Sequence, residues 1–108
     1  MAKVTLTVYL ADYNAEVTLR LPDTLTPTEI SLLRMLMQGM NVSEIARRRN
    51  RSMKTVSYQK SQIYRKLGIR NDLTLWPDLL LRYRAVLLET KNPRAPREDN
   101  NRLITTAN

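Results

Sequence analysis

Cysteine and histidine are both absent from the 108 residues, and glycine occurs only twice. Without a thiol or an imidazole there is no disulfide framework, no thiolate zinc site, no cysteine nucleophile and no histidine acid–base chemistry. The two glycines, Gly39 and Gly68, form no glycine-rich phosphate loop. The acidic residues are isolated, without the spacing of a paired carboxylate couple, and no nucleophile motif accompanies them. No catalytic residue, no metal site and no cofactor is therefore expected, and the chain reads as a non-enzyme. Long hydrophobic runs are missing too. The most apolar region, Leu73–Leu88, is interrupted by Pro77, Asp78, Arg82 and Arg84 and is shorter than a membrane span requires. The amino-terminal MAKVTLTVYLADYN has a short apolar stretch and no small-residue cleavage site, which is not a signal-peptide pattern. A soluble, cytoplasmic chain with no membrane partner is the expectation.

What is present is an ordinary globular composition, 43% apolar and 26% charged, at a length that suits one domain with tails. The net charge is +8, and its placement says more than its size. Between Thr26 and Arg70 stand ten basic residues (Arg34, Arg47, Arg48, Arg49, Arg51, Lys54, Lys60, Arg65, Lys66 and Arg70) against Glu29 and Glu44 alone. That block carries the whole net charge, and the flanks are neutral. A field concentrated in this way attracts polyanions and releases counterions on binding, whereas a merely solvated basic surface would show no organised face. Periodicity has to decide between the two.

From Lys3 to Leu21 apolar and polar residues alternate: Val4, Leu6, Val8 and Leu10, then Val17, Leu19 and Leu21, parted by the turn-like Asp12-Tyr13-Asn14. A period of two predicts a β-hairpin with one buried face. Such a hairpin is marginal alone, so it should lie on a helical core or pair with a second subunit. Leu25-Thr26-Pro27-Thr28-Glu29 is a helix start, with Thr26 as cap, Pro27 at the first helical position and Glu29 at the capping-box position. Ile30, Leu33, Met37 and Met40 follow at helical spacing, and Gly39 can end the helix near Gln38. Asn41 and Glu44 repeat the capping arrangement, with Met40 and Ile45 spaced as a hydrophobic staple, for a short second helix over about Val42–Arg49.

Asn50 and Arg51 form a tight turn, Ser52 caps again, and a third helix runs from there to about Lys66 before Gly68 closes it. On its helical wheel Val56, the aliphatic stem of Lys60, Ile63 and Leu67 share a packed face. Lys54, Ser57, Tyr58, Ser61 and Arg65 lie opposite. A fourth helix is indicated by Leu75, Leu79, Tyr83 and Val86, with Leu80 and Leu87 as a second apolar stripe. Capped at Thr74, it would hold Pro77 unstrained at its third position. Beyond Lys91, NPRAPREDNNRLITTAN has two prolines and no periodicity and reads as a disordered tail.

A short second helix, a tight turn and a third helix exposing polar and basic groups is how a helix-turn-helix is built. Thr26 to Asp72 resembles the DNA-binding output domain of the LuxR/FixJ class of bacterial transcription regulators. The resemblance rests on LTPTE at Leu25–Glu29, Gly39, SEIA at Ser43–Ala46, KTV at Lys54–Val56 and KLGI at Lys66–Ile69. Within the class it is similar to the capsule-synthesis regulator RcsB and its auxiliary relatives, through Asn50–Ser52, Lys54–Ser57, Gln59-Lys60 and Asn71-Asp72. The resemblance implies a mainly α, tetrahelical domain, here with an amino-terminal β-hairpin. The hairpin would occupy residues 1–24, the helix-turn-helix domain 25–90 and the tail 91–108. It further implies a dimer on double-stranded DNA at the bacterial nucleoid, the third helix in the major groove and the fourth at the dimer contact through Leu75, Trp76, Leu79 and Tyr83. Lys54, Thr55 and Lys60 would then meet phosphates, and Ser57, Tyr58 and Ser61 would face base edges. Arg65 shares that outward face, and Arg48 and Arg51 stand beside the backbone at the turn.

Three departures stand out. Arg49 takes a position where relatives usually place a packing Leu, so it must lay its stem along the core or rotate outward. Tyr58 replaces a small residue on the reading face, where it could touch a thymine methyl or block the usual target. Only some 25 residues precede Thr26, too few for the receiver or ligand-binding domain that relatives commonly carry.

Met35, Met37 and Met40 read as core filling, and Trp76 as packing rather than a base-stacking platform. Leu79-Leu80-Leu81 and Val86-Leu87-Leu88 exceed what one helix can bury on a small core; a second subunit or the hairpin would absorb the surplus. Two functions follow: a sequence-specific regulator acting as a dimer, or an auxiliary protein that pairs with another regulator of the class and binds DNA weakly alone. RNA polymerase is a further candidate partner of either.

Overall fold

A computed structural model describes residues 3–89; the tail expected over 91–108 lies outside them. The order of elements is β1 (Lys3–Leu10), β2 (Ala15–Pro22), α1 (Pro27–Met37), α2 (Val42–Arg49), α3 (Met53–Leu67), α4 (Leu75–Arg82) and β3 (Val86–Glu89). Strands β1 and β2 form the expected antiparallel hairpin, with Val4 opposite Leu21, Leu6 opposite Leu19 and Val8 opposite Val17. The connection is a single 3-10 turn, Ala11–Tyr13, ended by Asn14 in the left-handed conformation at φ 48°. Because side chains alternate across the sheet, Leu6, Val8, Ala15, Val17, Leu19 and Leu21 all fall on one face and are buried.

That face lies on the helices in one continuous core. Leu32, Leu33, Leu36 and Met37 of α1, Ile45 and Ala46 of α2, Val56, Ile63 and Leu67 of α3, and Leu75 and Leu79 of α4 belong to the same buried cluster as the hairpin residues. On α1 the buried stripe is centred on Leu32, Leu33 and Leu36, with Ile30 and Met40 only partly covered. Each start of α1 to α3 is capped as its local chemistry demands. The Thr26 hydroxyl accepts the Glu29 N–H at 3.1 Å while the Glu29 carboxylate accepts the Thr26 N–H at 2.9 Å. Asn41 and Glu44 repeat the exchange at 2.8 and 2.9 Å. Each reciprocal pair satisfies two backbone donors that a helix otherwise leaves open.

The end of the fourth helix differs from the sequence expectation. Helix α4 starts at Leu75 with Pro77 in its third position, where no helical hydrogen bond is lost, but it stops at Arg82. Arg84 adopts a left-handed φ of 49°, which turns the chain out of the helix, and Val86–Glu89 becomes a strand instead. Val17 pairs with Leu87 and Thr18 with Val86, so β2 is the centre of a three-stranded antiparallel sheet in the order β1-β2-β3. Val86 and Leu87 fit a helical stripe by spacing, yet a short apolar run fits a strand equally well. The open edge of β2 decides the matter, because pairing satisfies its backbone donors and acceptors. Pairing with the hairpin satisfies the backbone of this segment but does not bury its apolar side chains. Val86, Leu87 and Leu88 remain well exposed, as does Leu81.

Candidate nucleic-acid interface

The two helices that build the interface meet at a turn set by Asn50, whose left-handed φ of 56° ends α2. The Arg51 N–H returns to the Ala46 carbonyl at 2.9 Å and fixes the angle at which the chain leaves. Ser52 then caps α3, its hydroxyl accepting the Thr55 N–H at 3.1 Å and donating to the Thr55 hydroxyl at 2.9 Å. At the far end Gly68, at φ 74°, closes the helix as a residue without Cβ does most readily.

Along α3 the two faces separate as the wheel requires. Val56, Ile63 and Leu67 are buried, whereas Lys54, Thr55, Ser57, Tyr58, Ser61 and Arg65 are exposed. Tyr58 projects with 65% of its surface in solvent, at the middle of a stripe made by Lys54, Ser61 and Arg65. Met53, at the first position of the helix, is also exposed, and a lone Met carries no local signal that marks it in the sequence.

The basic block is sorted by its partners. Arg34 donates to the Thr7 carbonyl of β1. Arg49 donates to the Ser31 hydroxyl at 3.1 Å, Lys66 reaches the Glu29 carboxylate at 2.8 Å and the Thr24 carbonyl at 3.1 Å, and Arg70 pairs with Asp78 at 3.3 Å. Lys60 is also engaged: its Nζ lies 3.0 Å from the Asp72 carboxylate, with its side chain 21% exposed. Among the described residues Arg47, Arg48, Lys54 and Arg65 have no such partner, and Arg51 is held only by the Asn50 carbonyl at 3.4 Å. These five lie on the end of α2, the turn and the outer face of α3. The cations thus divide into a set that ties the fold together and a set left open to an anion along the helix-turn-helix.

The carboxylates that hold the first set are themselves shifted. Burial alone would raise Glu29, but the Lys66 ammonium and the Thr26 N–H outweigh it and hold the group below its ordinary value. The Arg70 N–H at 3.0 Å, with its guanidinium, keeps Asp78 low. Asp72 is lowered by the Tyr64 hydroxyl, which donates to it at 2.7 Å, and by Lys60. Tyr64 is correspondingly raised, by burial first and by its hydrogen bond to the Asp72 carboxylate second. Sequence spacing does not reveal this cluster, because Asp72 reaches back to α3 across the Gly68 turn.

The four residues expected at a dimer contact separate as well. Leu75 and Leu79 are buried in the core of their own chain. Trp76 and Tyr83 are half-buried, and the Tyr83 hydroxyl donates to the Leu67 carbonyl at 2.8 Å. A groove of about 670 Å³ opens beside Trp76, lined also by Tyr9, Tyr13, Met37, Leu80 and Leu87. Among the described residues no group of side chains could hold a metal ion, and no helix is long and apolar enough to cross a membrane.

The family model described as bacterial regulatory proteins, luxR family, matches residues 23–76, half of the chain. The chain is 46% identical over 87 residues to the uncharacterized HTH-type transcriptional regulator YuaB of Escherichia coli K12, covering 81% of this chain and 25% of that protein. It is 41% identical over 93 residues to the cyclic di-GMP phosphodiesterase PdeL of the same organism, covering 86% of this chain and 26% of PdeL. To the transcriptional regulatory protein RcsB, also of that organism, it is 47% identical over 51 residues, 47% of this chain and 24% of RcsB. The chain therefore spans about a quarter of the length of these relatives. No solved structure matches it.

Proposed function

The chain belongs to the luxR family of bacterial regulatory proteins and carries its helix-turn-helix DNA-binding domain; from that premise we propose that it regulates transcription by binding double-stranded DNA as a dimer, α3 lying in the major groove. The observation that carries this reading is the sorting of the cations. Arg47, Arg48, Arg51, Lys54 and Arg65 stand open on the end of α2, the turn and α3 while the other basic residues of the block serve the fold. Contacts from Arg48, Arg51, Lys54 and Thr55 to phosphates would fix the register of α3 without reading sequence. Ser57, Tyr58 and Ser61 would read base edges, with the Tyr58 ring placed to meet a thymine methyl. Two copies on a two-fold axis would place their α3 helices one helical turn of DNA apart, or a multiple of it.

Selection of bound sequences from a random duplex pool tests the reading. A palindromic pair of half-sites is the expected result, and a pool that fails to enrich would overturn it. A second reading is favoured by the exposed Val86, Leu87 and Leu88 and the groove beside Trp76: an auxiliary subunit that pairs with another regulator of the family and binds DNA weakly alone. Light scattering of the chain alone decides between the two. A stable homodimer that binds the selected duplex tightly supports the first, and a monomer that binds tightly only with an added relative supports the second.

A further inference from the structure

Lys60 stands apart from the other cations of α3. Both oxygens of Asp72 are within reach of its Nζ, at 3.0 and 3.2 Å, and the ammonium lies 5.7 Å from the centre of the Tyr64 ring. The carboxylate is not a loose surface group. The Tyr64 hydroxyl fixes one oxygen at 2.7 Å. The turn that carries Asp72 is itself held, the Asn71 side chain accepting the N–H groups of Leu73 and Thr74 at 2.8 and 3.1 Å. Exposure within the pair is lopsided, 21% for the Lys60 side chain and 69% for that of Asp72. A polyanion that approaches α3 at this point meets the carboxylate before the ammonium, and the pair as a whole is neutral. Lys54 and Arg65 present bare positive charge on the same helix.

Resting on the duplex-binding reading above, we propose that Asp72 competes with the DNA backbone for Lys60, so that this lysine adds little to binding while the carboxylate is in place. Asp72 is on this view a positioning residue that subtracts one phosphate contact from the interface. Binding strength is then set by the turn and the two ends of the outer stripe rather than by the middle of α3. A phosphate can claim Lys60 only by displacing a carboxylate that Tyr64 holds fast, and like-charge repulsion between the two anions opposes the exchange.

The test uses the full chain, a selected duplex and an unrelated duplex, with affinity measured across a salt series. Asp72→Asn removes the charge and leaves an oxygen for the Tyr64 hydroxyl. It should tighten binding to both duplexes roughly three- to fivefold at low salt and steepen the salt dependence by about 0.9 in log K per log salt, the mark of one added phosphate contact. Lys60→Met, which keeps an apolar stem across the Tyr64 ring, should leave the salt dependence of the native background unchanged, any modest loss of affinity coming from the carboxylate it bares, and should abolish the gain in the Asp72→Asn background. Unchanged or weaker binding by a folded Asp72→Asn chain overturns the proposal. So does a salt dependence made shallower by about 0.9 on Lys60→Met alone, the mark of a phosphate contact that Lys60 already makes in the native chain, and that measurement does not depend on Asp72→Asn folding. If the native chain binds neither duplex, the functional reading itself fails, and that outcome is distinct from both of these.

Discussion

The Arg49 guanidinium donates to the Ser31 hydroxyl at 3.1 Å, so a charged side chain bridges α2 and α1. The arginine neither turns fully into solvent nor enters the core; it lies half-buried along the seam with its polar end satisfied. Arg49→Ala should lower the free energy of unfolding by about 1 kcal/mol, the net worth of one such bond with some lost packing. Arg49→Leu should lose less, since it keeps an apolar stem. Urea denaturation measures both, and a loss for Arg49→Ala above about 3 kcal/mol would reveal a deeper packing role.

The reciprocal caps of α1 and α2 give a second expectation. Thr26→Ala and Asn41→Ala each free one backbone donor and should each cost about 1 kcal/mol. Thr26 should be the more damaging, because its partner Glu29 is buried and also holds Lys66 at 2.8 Å. Thermal melts of the two variants provide the comparison, and equal shifts would argue that the Lys66 link is independent of the cap.

Stability should vary with pH at both ends of the range. Glu29, Asp72 and Asp78 are lowered in the folded chain, so the unfolded chain binds more protons as the medium is acidified. Their contribution is complete above the ordinary carboxylate range and is lost as pH falls through the lowered values. Tyr64 and Tyr83 are raised, so their contribution is complete below the ordinary tyrosine value and is lost above it. A plot of melting temperature against pH should be flat near neutrality and fall on both sides. Asp78→Asn should flatten the acid limb, and an unaltered limb would discount the Arg70 link.

On DNA, the two kinds of residue on α3 should fail differently. Arg65→Ala should weaken binding to all duplexes and reduce the salt dependence by about 0.9, leaving base preference intact. Tyr58→Ser should alter the selected half-site, each good base contact being worth roughly 1 to 3 kcal/mol. Replacing thymine by uracil in the selected duplex removes the methyl group alone and should weaken the native chain but not Tyr58→Ser. Equal loss for both would show that Tyr58 does not read that methyl.

What was legible in the sequence was local. Thr26 with Glu29, Asn41 with Glu44, Ser52 and the two glycines announce helix ends through chemistry that acts within a few residues, and the structure places the ends of α1 to α3 accordingly. The outward stripe of α3 was legible because burial of Val56, Ile63 and Leu67 fixes the opposite face by geometry. Non-local choices were not. Val86–Glu89 becomes a strand because β2 has an open edge, which no window around Val86 contains. Leu75 and Leu79 share the spacing of a surface stripe and of a core stripe, and only the assembled bundle turns them inward. The pairing of Lys60 with Asp72 likewise depends on how the chain folds back after Gly68.

The place of β3 in the sheet bears on how the chain is assembled in time. Strand β2 has one neighbour that precedes it and one that follows all four helices, Thr18 pairing with Val86 across the whole helical segment. During synthesis the hairpin and the helices emerge first, and β2 keeps an unpaired edge until Glu89 has left the ribosome. Such a distant pairing costs loop-closure entropy and forms late. A fragment cut to residues 23–76, the stretch shared with the family, would hold α1 to α3 but would lack the hairpin residues Leu6, Val8, Val17, Leu19 and Leu21 that share their core. The clasp made by β3 thus closes an edge of the sheet rather than the core, since Val86, Leu87 and Leu88 stay exposed while the packing beneath α3 comes from β1, β2 and the helices made before it.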